Sequence, residues 1–243
     1  MATLMQDFAP LSSYAQEEVE KEAVELMMKT LELCSTESSP SRQPLYQYRA
    51  ATIYYRLASL HHNAYRNQSG EDGRRKLLKS LAEHYYEKAL FLFEAMENVT
   101  EYVRVLLEHA GMLEFQMTGL QGFNSKLNKL YSVLKLFLTS QKLIANINKK
   151  PESGPSDSPE HEEAPEDEED RNAILLLFEK RIQATLRSII KLYHAPGKHR
   201  NENVMNMWKR IYSESLQRSS DVRIEVFLST LLPRIKDALE PGP

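Results

Sequence analysis

From Leu78 to Met96 one set of apolar side chains, Leu78, Leu81, Ala82, Tyr85, Ala89, Leu92, Phe93 and Met96, recurs every three or four residues, singly or as adjacent pairs. A strand alternates its faces every residue. Only a helix gathers i, i+3 and i+4 on one side. In the run His84–Glu94, the small Ala89 lets a neighbouring helix approach, and the large Phe93 follows four positions later on the same face. A second helical pattern precedes it, with Pro44 in its first turn, where the missing N–H costs nothing. Tyr48, Ala51, Thr52 and Tyr55 mark one face of it, and Ile53, Leu57, Leu60 and Ala64 another. A helix apolar on two faces is packed on two sides. Asn67-Gln68-Ser69-Gly70-Glu71-Asp72-Gly73, between the two patterns, is a turn by composition. The pair forms a hairpin that buries its faces by stacking on others.

The same periodicity runs through the rest of the chain. A first helix over about 13–34 starts with a capping box, Ser13 with Gln16, and carries Val19, Ala23, Leu26, Met27, Thr30 and Cys34. Asn98 and Thr100 offer a stop and a new cap for a fourth helix with Val103, Leu106, Ala110, Leu113 and Met117. Gly111 inside it marks a close helix crossing. After Gly119-Leu120-Gln121-Gly122, Asn124 or Ser125 caps a fifth helix with Leu127, Leu130, Tyr131, Leu134, Leu138 and Ile144. From 148 to 169 apolar content vanishes among four prolines and a carboxylate run. Such a segment buries too little to offset its ordering entropy, so disorder is expected. Asp170 then caps a sixth helix with the stripe Ile174, Phe178, Ile182, Leu186, Ile189 and Tyr193, which Ala195-Pro196-Gly197 ends. The seventh follows Asn201 or Asn203 with Val204, Met207, Trp208 and Ile211. The eighth begins near Ser220 or Asp221 with Ile224, Phe227, Leu228 and Leu231, and Pro233 kinks or ends it.

The pattern predicts an all-α chain of about eight helices in antiparallel hairpins resembling a tetratricopeptide-repeat solenoid, with one disordered acidic linker. The expected organisation is a helical bundle over 1–147, the linker over 148–169, and basic C-terminal helices over 170–243 packing on the bundle. The helices are elongated relative to the standard unit. No 34-residue period exists, and the candidate small residues Ala58 and Ala89 lie too far apart for one.

Net charge, −3, hides an asymmetry. Residues 151–170 hold ten carboxylates and no Lys or Arg, residues 171–243 have a balance of +6, and residues 1–150 a balance of +1. The basic part contains Lys180, Arg181, Arg187, Lys191, Lys209 and Arg210, with Lys198, His199 and Arg200 between. Such a cluster neutralises phosphates, or simply faces solvent and the acidic segment upstream. No DNA-reading motif frames it, so base-specific readout has no support; the alternative expectation is a nucleic-acid-associating chain that uses the basic 171–243 segment, whether directly or through an indirect association. Ser158-Pro159 has the form of a proline-directed phosphorylation site, or of an unused linker dipeptide. A second candidate surface is the tyrosine-rich stripe Tyr46, Tyr48, Tyr54, Tyr55, Tyr65, Tyr85 and Tyr86, of which Tyr48, Tyr55 and Tyr85 are the candidate protein-binding residues. Helical solenoids hold peptides in concave grooves of this kind, and core packing explains tyrosines equally well.

Chemistry has no foothold. Adjacent His61 and His62 point about 100° apart on a helix and cannot share a metal from one face. His84, His109, His161, His194 and His199 have no ligand at a recognisable spacing, and GxSxG, P-loop and GxGxxG patterns are absent. The expectation is a non-enzymatic chain with no cofactor and no metal. Cys34, the lone cysteine, reads as a small buried residue in a reducing, intracellular compartment. No apolar run is long enough to cross a bilayer, so no membrane role is expected.

Three stretches carry a resemblance: Met1-Ala2-Thr3-Leu4-Met5-Gln6-Asp7-Phe8-Ala9-Pro10-Leu11-Ser12-Ser13-Tyr14, Gln43-Pro44-Leu45-Tyr46-Gln47-Tyr48-Arg49-Ala50-Ala51 and, downstream, Glu114-Phe115-Gln116-Met117-Thr118. They resemble the C-terminal region of the erythroid differentiation-related factor family, much larger nuclear proteins with tetratricopeptide repeats. The resemblance implies a nuclear location and a role in transcriptional activation of globin genes during erythroid differentiation. It supplies no catalytic or DNA-reading residue. The leading expectation is therefore a helical scaffold that binds other proteins.

Overall fold

The computed structural model describes the backbone of residues 16–36, 39–68, 72–147, 165–195 and 201–240, which contain helices and no strand. The helices are α1 (Gln16–Thr36), α2 (Gln43–Asn67), α3 (Asp72–Ala95), α4 (Val99–Met117), α5 (Phe123–Leu138), α6 (Gln141–Ile147), α7 (Pro165–His194), α8 (Glu202–Ser215) and α9 (Ile224–Leu239). They gather into two compact units, Met1–Glu97 and Asn98–Pro243. The division at Glu97 differs from the boundary expected at 147. The reason is that α7 packs on α4 and α5, which draws residues 98–147 into one body with the C-terminal helices.

In the first unit α2 and α3 form the antiparallel hairpin. Pro44 lies in the first turn of α2, as expected. Arg75 lies over the Tyr65 ring at one end and Tyr48 meets Phe93 at the other. That register sets Ala51 level with Ala89 and Ala58 level with Ala82, all four with no exposed surface. Small residues in facing pairs let the two helices approach, while Leu57, Tyr86 and Phe93, also fully buried, fill the space around them. Helix α1 covers the other side of α2. Ala23, Met27 and Leu31 pack on Leu57, flanked by Ile53, Tyr54 and Tyr85. Cys34, expected buried, is half-buried near the end of α1, where it lines an open cleft against the start of α2.

In the second unit α7 is the hub, packed by α4, α5, α8 and α9. Its expected stripe is buried throughout: Ile174, Phe178, Ile182, Leu186, Ile189 and Tyr193. Phe178 meets Phe137 of α5 edge-on at 5.1 Å. Asn98 caps α4 by accepting from the Glu101 N–H at 3.0 Å, and Asn201 caps α8 by accepting from Val204 at 3.2 Å.

Several expectations about ends and breaks are corrected. Helix α7 starts at Pro165 rather than after a cap at Asp170, so residues 165–169 are helical and not linker. The carboxylates there favour a helix N-terminus, whose dipole they complement. Residues 148–164 of the expected linker, with Ser158, and the Ser13 cap lie outside the described residues. The fifth expected helix divides at Thr139–Ser140, where both hydroxyls donate to carbonyls three residues back, of Leu136 and Phe137, at 2.7 Å. Helix α5 begins after Gly122, whose φ of 87° suits glycine, and not after Asn124 or Ser125. Helix α9 begins at Ile224 and does not end at Pro233 but continues to Leu239.

Gly111 does not mark a crossing of backbones. A Cβ there would meet only the Arg181 guanidinium, at an ordinary 3.8 Å. Gly111→Ala is therefore expected to stabilise the second unit by about 0.5–1 kcal/mol, read as a higher urea midpoint at unchanged slope.

Candidate functional site

The three candidate tyrosines do not share one groove. Tyr48, an exposed residue of α2, sets its ring edge-on to Phe93 at 6.0 Å. Tyr55 lies on the same side of α2, half-buried. Tyr85, on α3, belongs to the opposite side of the hairpin, where it stacks on Tyr54 at 6.1 Å and on His61 at 5.6 Å, and its hydroxyl approaches the Met28 sulfur of α1 at 3.9 Å. Tyr65 and Tyr86 are buried, and Tyr86 bonds the His62 Nδ1 at 3.0 Å. Much of the tyrosine stripe is thus packing, and its accessible part is Tyr48 with Tyr46 nearby.

Next to that part the structure shows a cleft the sequence did not suggest. Thr30, Leu33, Cys34 and Thr36 from the end of α1, and Tyr46 and Arg49 from the start of α2, line it. The Arg49 guanidinium stands 5.7 Å from the Tyr46 ring centre. Burial pushes the Cys34 thiol above its usual range and Arg49 draws it back in part, so the sulfur is held as a thiol. Leu33 and Leu45 remain well exposed beside the cleft. The available signal was the loop between α1 and α2, which brings positions fifteen or so apart side by side.

The histidine pair behaves as structure. Desolvation lowers the His61 pKa, and its Nδ1 is buried with no hydrogen-bond partner among the described residues. Above about pH 6.5 the residue is neutral folded and unfolded alike. Below that value the unfolded chain takes up the proton first, so stability falls as pH drops through the depressed folded pKa. Acidification from pH 7 is expected to lower the urea midpoint of the first unit, and His61→Gln to flatten that fall. His84 and His194 are exposed, His109 is buried, and His161 and His199 lie outside the described residues. Among the described residues no group of three His, Cys, Asp or Glu could hold a metal ion, and no helix is long and apolar enough to cross a membrane.

The basic residues of the second unit also separate. Lys180, Arg187 and Lys191 fall on one exposed stripe of α7. Arg181 turns away from it and pairs with Glu114 of α4. Burial raises the Glu114 pKa, and the Arg181 charge offsets that only in part. On α8, Arg210 pairs with Glu214 at 3.2 Å, and Lys209 is half-buried. Glu214 also receives Arg234, whose hydrogen bond is the main reason its carboxyl pKa is lowered. Lys198 and Arg200 lie outside the described residues. Of the six candidate cations, three stand together with no ion pair among the described residues.

A family model described as Erythroid differentiation-related factor 1-like, TPR repeats, matches residues 1–240. The chain is 37% identical to erythroid differentiation-related factor 1 of Homo sapiens, over 97% of this chain and 20% of that protein. It is 38% identical to that of Pongo abelii and 37% identical to that of Mus musculus, with the same coverage. The chain thus spans about a fifth of the length of the curated relatives it matches. No solved structure matches it.

Proposed function

Since the chain belongs to the erythroid differentiation-related factor 1-like family of tetratricopeptide-repeat proteins, we propose that it is a non-enzymatic helical scaffold that binds other proteins. We place it in the nucleus, in erythroid differentiation and transcriptional activation of globin genes. The observation that carries the scaffold reading is the α2–α3 hairpin. Its interior is satisfied by paired alanines and buried aromatics, yet Leu45 and Tyr48 stay exposed beside Arg49 and the open cleft. Apolar and aromatic side chains kept in water next to a cation suit the binding of a peptide or helix from another protein. Depletion of the protein in differentiating erythroid cells, with imaging of its location, tests the finer reading. A nuclear protein whose loss lowers globin transcripts is expected; a protein outside the nucleus whose loss leaves them unchanged contradicts it.

A second reading, direct association with nucleic acid, rests on the stripe of Lys180, Arg187 and Lys191. Three cations on one helix give a short phosphate contact and a shallow salt dependence.

A further inference from the structure

Helix α7 has a second face. Opposite its buried stripe, Glu169, Ala173, the adjacent Leu176 and Leu177, Lys180, Ala184, Arg187 and Lys191 are all exposed, with steps of three and four on either side of the leucine pair. That spacing is the seam of a helix that receives another helix. Leu176 is 36% and Leu177 54% exposed, in the middle of the row. The face is charge-polarised, acidic at its N-terminal end and basic toward its C-terminal end. The helix dipole accounts for that order of charge. It does not account for two leucines left in water between the charges.

The geometry points to a second copy of this chain as the occupant, with the two α7 helices antiparallel across a two-fold axis at Leu176–Leu177. A two-fold interface needs a patch that complements itself, and this one does: acid–apolar–base meets base–apolar–acid. At about 1.5 Å per residue, Glu169 lies about 11 Å to one side of the centre and Ala184 about 11 Å to the other. Each Glu169 therefore comes level with Ala184 of the second copy, between its Lys180 and Arg187. The alanine side chain leaves room there for the carboxylate. Neither Glu169 nor the three cations has an ion pair among the described residues that such pairing would have to break. Single-stranded nucleic acid would leave the leucines uncovered and Glu169 facing phosphate. The inference stands apart from the scaffold reading, since it needs no other partner.

Sedimentation velocity of the full chain over about 1–100 µM tests it. A monomer–dimer equilibrium within that range is expected. Leu177→Glu, Glu169→Lys and Lys180→Glu should each weaken it at least about tenfold, and Glu169→Lys combined with Lys180→Glu should restore it in part, since Arg187 is unchanged, to an affinity above that of either single variant. Helix content by circular dichroism checks the fold. Lys180→Glu, at an exposed site, keeps the test valid if Leu177→Glu does not fold. A chain that stays monomeric throughout, or a dimer indifferent to all three substitutions, overturns the inference. So does a monomer that instead binds a fluorescein-labelled single-stranded RNA through Lys180, Arg187 and Lys191, which would assign this face to nucleic acid.

Discussion

Replacing Phe93 with alanine is expected to destabilise the first unit by about 3–5 kcal/mol. The ring has no exposed surface, stands one helical turn from Ala89, and has Tyr48 edge-on against it at 6.0 Å. Ala89 and Ala51 hold the α2 and α3 backbones close at that level, so the hairpin cannot collapse far to fill the void. The alanine pairs that permit close approach thus also fix the cost of losing the ring. Because its packing lies within the unit that ends at Glu97, the effect should be local. Hydrogen exchange should show amides of 43–95 losing protection while those of 99–138 keep theirs. A loss below about 1 kcal/mol would mean that the site is not close-packed.

Trp208→Ala should cost the second unit a similar amount, about 3–5 kcal/mol. Trp208 is fully buried on α8, its ring 5.7 Å from that of Tyr131 on α5, and its Nε1–H donates to the Tyr131 hydroxyl at 3.3 Å. That hydroxyl also lies 3.5 Å from Tyr193 of α7, so one polar chain joins three helices inside an apolar setting. Burial and the neighbouring Tyr131 push the Tyr193 pKa upward, which keeps it a phenol at any ordinary pH. Trp208→Phe keeps most of the volume and loses only the donor, for an expected cost of about 0.5–1.5 kcal/mol. Urea melts followed by circular dichroism separate the two variants. In the parent chain, fluorescence of its lone tryptophan reports the second unit alone.

The all-helical class and the buried stripe of α7 were legible because both rest on periodicity, which depends on local geometry alone. Asn98 and Asn201 were legible as caps for the same reason: a cap is a contact with the next turn. What failed to show were features set by the neighbour. Gly111 looks like a helix crossing in one dimension, and only the packing of α7 on α4 reveals that the Arg181 side chain passes over it. Pro233 has the local signature of a helix end, yet α9 continues past it because its buried face, Leu228, Leu231, Leu232 and Ile235, is held on both sides of the proline. The break at Thr139–Ser140 carries no glycine or proline, only two hydroxyls that compete for the backbone. The candidate surfaces were legible as composition but not as surfaces. A list of tyrosines cannot distinguish Tyr85, inside a stack with Tyr54 and His61, from Tyr48 at the edge. A list of cations likewise cannot separate Arg181, committed to Glu114, from Lys180 beside it. The family was legible from sequence texture, and the match over residues 1–240 bears that out.

The scaffold reading is tested most directly by affinity purification of this chain from nuclear extract, with and without nuclease, read by mass spectrometry and repeated with Tyr48→Ala and Arg49→Ala in the same chain. A defined set of proteins that survives nuclease and is lost with the two substitutions is the predicted result. Partners that vanish on nuclease treatment, whatever the state of Tyr48 and Arg49, would contradict it and make nucleic acid the bridge.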